Sequence, residues 1–176
     1  MTTLFRAILF AIALCALPAK ASVSYQFSYT FGDNSAITGS LSGDQSGQFI
    51  TNIDHVHVFL NAVEFVGAPL FQAAWNPLTH AFDHAGQATL SANPALNNFV
   101  FADAAVPADF NVSNYFYFIN DDHGQEVFAV NYNSGDVALD NPANASWSLT
   151  AIPEPASLAT LLAGLCLMSI TLRRRR

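Results

Sequence analysis

The clearest pattern in the chain is a strict two-residue alternation near its start. Ser22, Ser24, Gln26, Ser28 and Thr30 alternate with Val23, Tyr25, Phe27, Tyr29 and Phe31, which puts every aromatic side chain on one face of a β-strand. Gly32-Asp33-Asn34-Ser35 then reads as a turn, and alternation resumes from Ile37 to Leu41. Ser42 to Gly47 reads as a second turn, followed by strands over Gln48–Thr51, Ile53–Leu60, Val63–Val66 and Asn98–Phe101. Tyr115–Ile119 and Glu126–Tyr132 flank Asn120-Asp121-Asp122-His123-Gly124-Gln125, a hairpin signal. A last strand, Ala145–Ile152, alternates Trp147, Leu149 and Ala151 with Ser146, Ser148 and Thr150, and stops where Pro153 removes a ladder donor. Pro69–Ser91 and Ala102–Ser113 are less regular and read as loops.

No ten-residue stretch between 22 and 152 carries a helical period. About nine short strands there predict an all-β ectodomain, an antiparallel β-sandwich or jelly roll, with a barrel as the alternative.

The two ends follow another rule. Arg6 precedes an apolar run, Ala7–Leu17, and then Pro18-Ala19-Lys20-Ala21. A positive charge, a short apolar helix and the small pair Ala19 and Ala21 make residues 1–21 a secretory signal peptide, cleaved after Ala21 by signal peptidase. The run is too short to span a bilayer, which needs about 20 apolar residues. At the other end, residues 156–172 carry no charge and are followed by Arg173, Arg174, Arg175 and Arg176. As a helix this segment is about 26 Å long, close to the hydrocarbon thickness once the arginines snorkel. The basic flank stays cytoplasmic, so the segment predicts a transmembrane helix with the ectodomain outside the inner membrane.

Composition changes this picture in one respect. Among 176 residues there are 6 basic and 13 acidic side chains. Every lysine and arginine lies before residue 22 or after residue 172, whereas 12 of the acids lie between them. Such a surface repels phosphate backbones, which excludes nucleic acid as a partner, and it lacks arginine clamps and lysine nucleophiles. Cys15 and Cys166 sit in the terminal segments, so the ectodomain holds no disulfide and no cysteine-based zinc site.

Pro153-Glu154-Pro155, a small residue, Ser157, a short apolar helix and a terminal arginine cluster together resemble the PEP-CTERM sorting signal. The resemblance covers only residues 152–176, and a eukaryotic lipid-anchor signal fits less well because it ends without basic residues. It implies export by a Gram-negative bacterium, typically one that makes extracellular polysaccharide. It also implies processing near the Pro-Glu-Pro by exosortase, a membrane cysteine transpeptidase or protease. Independently of the name, two prolines leave an extended segment that a protease can grip at the membrane face.

Candidate chemistry in the ectodomain is sparse. His55 and His57, two apart on a strand, would share a face as zinc or copper ligands do, with His80, His84 or Asp83 as a third ligand. Two half-exposed strand histidines are the plainer reading. Asp121, Asp122 and Glu126 crowd oxygen around Gly124, with Asn120, Asn131, Asn133 and Asp136 nearby, and are calcium candidates. Their spacing matches no EF-hand loop, and any tight turn uses such residues. No Gly-x-Ser-x-Gly elbow occurs, and Tyr115, Tyr117 and Trp75 could stack on sugar rings if exposed.

The expected protein is therefore a cell-surface or matrix component: residues 1–21 as signal, 22–152 as ectodomain and 153–176 as sorting signal. Its expected role is structural, in exopolysaccharide or biofilm, with no catalytic residues and no cofactor. The alternatives are a calcium-assisted carbohydrate-binding module and a secreted hydrolase.

Overall fold

The computed structural model describes residues 22–66, 70–83, 87–103, 113–121, 124–141, 143 and 146–152. The expected signal helix, Pro153, Glu154, Pro155, the 156–172 helix and the arginines lie outside them. Among the described residues, no helix is long and apolar enough to cross a membrane.

Eleven antiparallel strands form two sheets among these residues. They are β1 (Val23–Thr30), β2 (Ala36–Ser46), β3 (Phe49–Leu60), β4 (Val63–Glu64), β5 (Phe71–Asn76), β6 (Ala81–Asp83), β7 (Phe99–Ala102), β8 (Tyr115–Asp121), β9 (Gly124–Asn131), β10 (Asp136–Asp140) and β11 (Ser148–Ala151). One sheet runs β11-β1-β2-β3-β4 and the other β10-β9-β8-β7-β5-β6.

The alternation on β1 does what its period demands. Tyr25, Phe27 and Tyr29 are buried and face Phe99, Phe101, Phe116 and Phe118 from the other layer. The Phe27 ring lies 6.1 Å from both Phe101 and Phe116 and 5.9 Å from Trp147. Full burial of each such side chain contributes about 1.5–3 kcal/mol. With no lysine or arginine to pair, carboxylates and amides tie the layers by hydrogen bonds. Asp140 on β10 accepts from Tyr29 Oη at 2.7 Å and from the Gly32 amide at 3.0 Å. Buried Asn131 donates to the Val63 carbonyl at 3.1 Å, and Trp147 Nε1 donates to the Ser91 carbonyl at 2.7 Å.

The β-sandwich expected from the sequence is present, but its connectivity is not that of a jelly roll. β1 to β4 follow one another in a single sheet, β5 to β10 stay in the second, and only β11 crosses back to lie beside β1. A jelly roll is built instead from interleaved Greek keys. Several local readings also change. Ser42–Gly47 is not a turn: β2 runs to Ser46 and the hairpin closes at Gly47, whose φ of 62° suits glycine. Irregular register around Ser40, Ser42 and Asp44 absorbs the polar residues inside the strand. Gln48–Thr51 and Ile53–Leu60 are one strand, β3. Pro69–Ser91 contains β5 and β6, and β10 was not expected.

β11 also brings the first and last described strands side by side. Tyr25 pairs with Ala151, and the Ile152 amide donates to the Ser24 carbonyl at 2.8 Å. Entry into β1 and exit from β11 therefore lie side by side at one pole of the sandwich.

Candidate functional site

The two outer faces of the sandwich differ in chemistry. On the five-stranded sheet, the residues opposite the core are Gln26 and Ser28 on β1, Thr38 and Ser40 on β2, and Ser148 and Thr150 on β11. With Phe59 they line a shallow groove of about 440 Å³. On the six-stranded sheet, β8 turns Phe116 and Phe118 inward, so its period of two sends Tyr115 and Tyr117 outward. Pairing then continues the outward set across the sheet. Tyr117 faces Phe128 on β9 and Val100 on β7, and Phe128 faces Leu139 on β10.

This outer band is apolar and built in two tiers. Small side chains on the inner strands, Ala73, Val100 and Ala102, are fully covered by the rings of Phe71, Phe82, Tyr115 and Tyr117. Tyr115, Tyr117 and Phe128 are half-buried and mutually near-parallel. Their centroids are 6.2 Å, 5.5 Å and 5.6 Å apart, with planes tilted by 10°, 20° and 19°. Near-parallel rings at three similar separations form a triangle. A stacked column would put its outer two rings about twice as far apart as its neighbours. Separations of 5.5 Å and 5.6 Å are too short for coplanar rings, so Phe128 is displaced along the ring normal and packs in an offset stack against both tyrosines. Toward the β10 edge, Val137 and Leu139 are 58% and 53% exposed, so the apolar band stays open on that side.

One polar cluster sits beside these rings. Tyr117 Oη donates to Glu126 Oε1, and Asn141 Nδ2 donates to Glu126 Oε2 at 3.2 Å. Burial, and next the neighbouring Tyr132 phenol, hold the Tyr115 phenol above its usual pKa. The Tyr115 phenol thus stays neutral at any physiological pH.

The structure assembles some of the residues singled out from sequence and separates others. Tyr115 and Tyr117 meet on this face, and Trp75 joins its margin by packing on Phe82, whose ring is 5.6 Å from Tyr117. Glu126 belongs to the same site. Asp121 pairs with Gly124 at the hairpin end, and Asp122 lies outside the described residues. Asn131 is buried, with its amide engaged by Val63, Asn133 and Ser134, so it is no surface ligand.

His55 and His57 are not a joint site. His55 has φ of 50°, which breaks the two-residue alternation between them. His55 contacts Ser42 and Asp54, whereas His57 contacts Glu64 at 2.8 Å. His80 packs edge-on to Trp75, and His84 lies outside the described residues. Among the described residues, no three His, Cys, Asp or Glu side chains gather as metal ligands do. Sequence reasoning did not find Phe128, Phe71 or Phe82. The parity of β9 carried the signal for Phe128, since Val127 and Ala129 mark its core face.

Comparison with known proteins bears on the other end of the molecule. Residues 151–176 match the family model described as the PEP-CTERM protein-sorting motif. No curated protein and no solved structure matches the chain. The motif marks an exported protein that exosortase sorts toward the cell surface.

Proposed function

From the sorting motif at residues 151–176 we propose a non-enzymatic protein of the cell surface or extracellular matrix, acting by contact with exopolysaccharide in a biofilm. Signal peptidase removes residues 1–21, and exosortase acts near Pro153, Glu154 and Pro155 while the 156–172 helix holds that segment at the inner membrane. The motif is the observation that carries this reading. The β-ladder supports it, because the described pairing reaches Ile152, ahead of the motif, and cleavage within the motif would leave every described strand whole. The lysine- and arginine-free surface of residues 22–152 suits a soluble, weakly adhesive exported domain. Mass spectrometry of the protein from its native host tests it. The expected masses lack Met1–Ala21 and the helix with its arginines; a full-length C-terminus would mean plain membrane anchorage.

A second reading, a carbohydrate-binding module, is favoured by the open aromatic band on the six-stranded sheet. Its calcium-assisted form calls on Asp121, Asp122 and Glu126. Titration with calcium alone separates the two forms, since only the assisted form produces heat at these carboxylates.

A further inference from the structure

We infer that the free edge of β10 pairs with the same strand of a second copy of this chain, antiparallel and centred on Ala138. The pair joins two molecules whose C-terminal poles point in opposite directions. This goes beyond the function proposed above and stands whether or not that function holds.

An edge strand presents a row of unpaired backbone amides and carbonyls, and folded proteins blunt such edges with lysine, proline, bulges or very short strands. Among the described residues, the other sheet edges are β4, β6 and β11, with two, three and four residues. β10 is longer, at five residues, and has neither lysine nor proline. Its register with β9 is unbroken from Asp136 to Asp140. Its outward side chains, Val137 and Leu139, are more than half exposed, whereas Ala138 between them is buried against the core.

The pattern of the strand selects the partner. Val137 and Leu139 lie one residue either side of Ala138, so a two-fold axis at Ala138 sets each Val137 opposite the partner's Leu139. All four side chains then share the outer face, and each exposed apolar group gains an apolar cross-strand neighbour. Identical strands meet this condition by construction, which is how self-complementary contacts arise.

Charge sets the conditions for pairing. The same register places Asp136 opposite the partner's Asp140. Both carboxylates are already engaged within their own copy: Asp136 accepts from Ser134 Oγ at 2.7 Å, and Asp140 from Tyr29 Oη and the Gly32 amide. The remaining repulsion, between domains with 12 acids and no lysine or arginine, is screened by salt. Pairing therefore strengthens with ionic strength, the reverse of a contact held by ion pairs.

The symmetry also fixes orientation. A two-fold axis normal to the sheet continues it from one copy into the next and reverses every direction lying in its plane. The pole where the Ile152 amide meets the Ser24 carbonyl is thereby turned end for end in the second copy. Such a contact joins copies rooted on facing surfaces and does not form between neighbours standing side by side on one surface.

The test uses the full chain, with Cys15 and Cys166 replaced by serine, at one copy per nanodisc of neutral phosphatidylcholine. Sedimentation should show two-disc particles that grow with protein concentration and between about 0.05 M and about 0.5 M salt. The double variant Val137→Cys/Leu139→Cys should give a covalent dimer on mild oxidation, because directly opposed Cα atoms about 5.5 Å apart suit a disulfide. Val63→Cys/Val66→Cys, an exposed apolar pair on the five-stranded side, should not. Val137→Lys/Leu139→Lys sets lysine opposite lysine at exposed positions and should weaken pairing about tenfold or more, with tryptophan fluorescence unchanged. Single-disc particles at every concentration overturn the inference. So does a two-disc species that survives the lysines or weakens with salt, or a crosslink that forms equally well from positions 63 and 66.

Discussion

Gly39→Ala is the sharpest probe of how the two layers fit. Gly39 lies on the core side of β2, paired with Phe27 on β1 and Val58 on β3. A methyl built there would sit 2.2 Å from Phe27 Cζ and 2.4 Å from the His57 carbonyl oxygen, inside the 3.0 Å that real Cβ contacts respect. The ring cannot retreat freely, because Phe101, Phe116 and Trp147 surround it. The carbonyl is backbone, so relieving the second clash means spreading β2 from β3. Overpacking of well-filled cores costs about 1–3 kcal/mol, and two clashes of which one is immovable place Gly39→Ala near about 3 kcal/mol. For a domain of this size that corresponds to a melting point lower by about 10 °C. Guanidinium titration followed by tryptophan fluorescence reads it directly, since Trp147 packs on Phe27. Phe27→Leu in the Gly39→Ala background should recover part of the loss by removing the ring clash, leaving the backbone one. A change below about 0.5 kcal/mol for Gly39→Ala, in the range of ordinary surface substitutions, would refute the packing described for Phe27.

Three further outcomes are expected. Trp147→Phe keeps a ring in the aromatic cluster but leaves the buried Ser91 carbonyl without its indole donor; it should cost about 1–3 kcal/mol by denaturant titration with an unchanged m-value. Asn131→Ala removes the side-chain bonds to Val63, Asn133 and Ser134, and should cost about 2 kcal/mol with faster hydrogen exchange at the Gly135 amide and along β10. Burial raises the Tyr25 phenol above 10.0, with a smaller push from Asp44, and burial likewise raises Tyr115. Above pH 10 the unfolded chain therefore releases these protons while the folded chain keeps them, so stability falls as pH rises. Tyr25→Phe should flatten that fall at little cost, because the buried Tyr25 hydroxyl has no hydrogen-bond partner among the described residues; denaturation at about pH 9 and about pH 11 checks it.

Elements with one wet face and one dry face were legible from the sequence alone. β1 shows both faces in its alternation, and β8 and β9 sit where strand residues flank a polar turn. β5 was hidden because its outward face is itself covered: Phe71, Ala73 and Trp75 lie in the outer cluster or at its margin, so no polar alternation remains to read. β2 was cut short by Ser42–Gly47, whose residues build turns elsewhere but here fill a strand with irregular register. The paired histidines failed for a related reason: counting by twos assumes a regular backbone, and His55 leaves the β region. Tyr115 and Tyr117 were visible as neighbours on one strand, but Phe128 joins them only through pairing across β8 and β9. A site assembled across strands depends on register, which single-strand periodicity does not carry.

The adjacency of β1 and β11 has a mechanical consequence. If tension is applied between the two ends of the folded domain, their shared ladder is loaded one hydrogen bond at a time, like a zip, and yields under a weak pull. If the domain is held by its C-terminus and dragged through the far sheet, the load must cross the packed rings and the Asp140 and Trp147 clasps, all sheared together. The same molecule would then be frail along one axis and tough along the other.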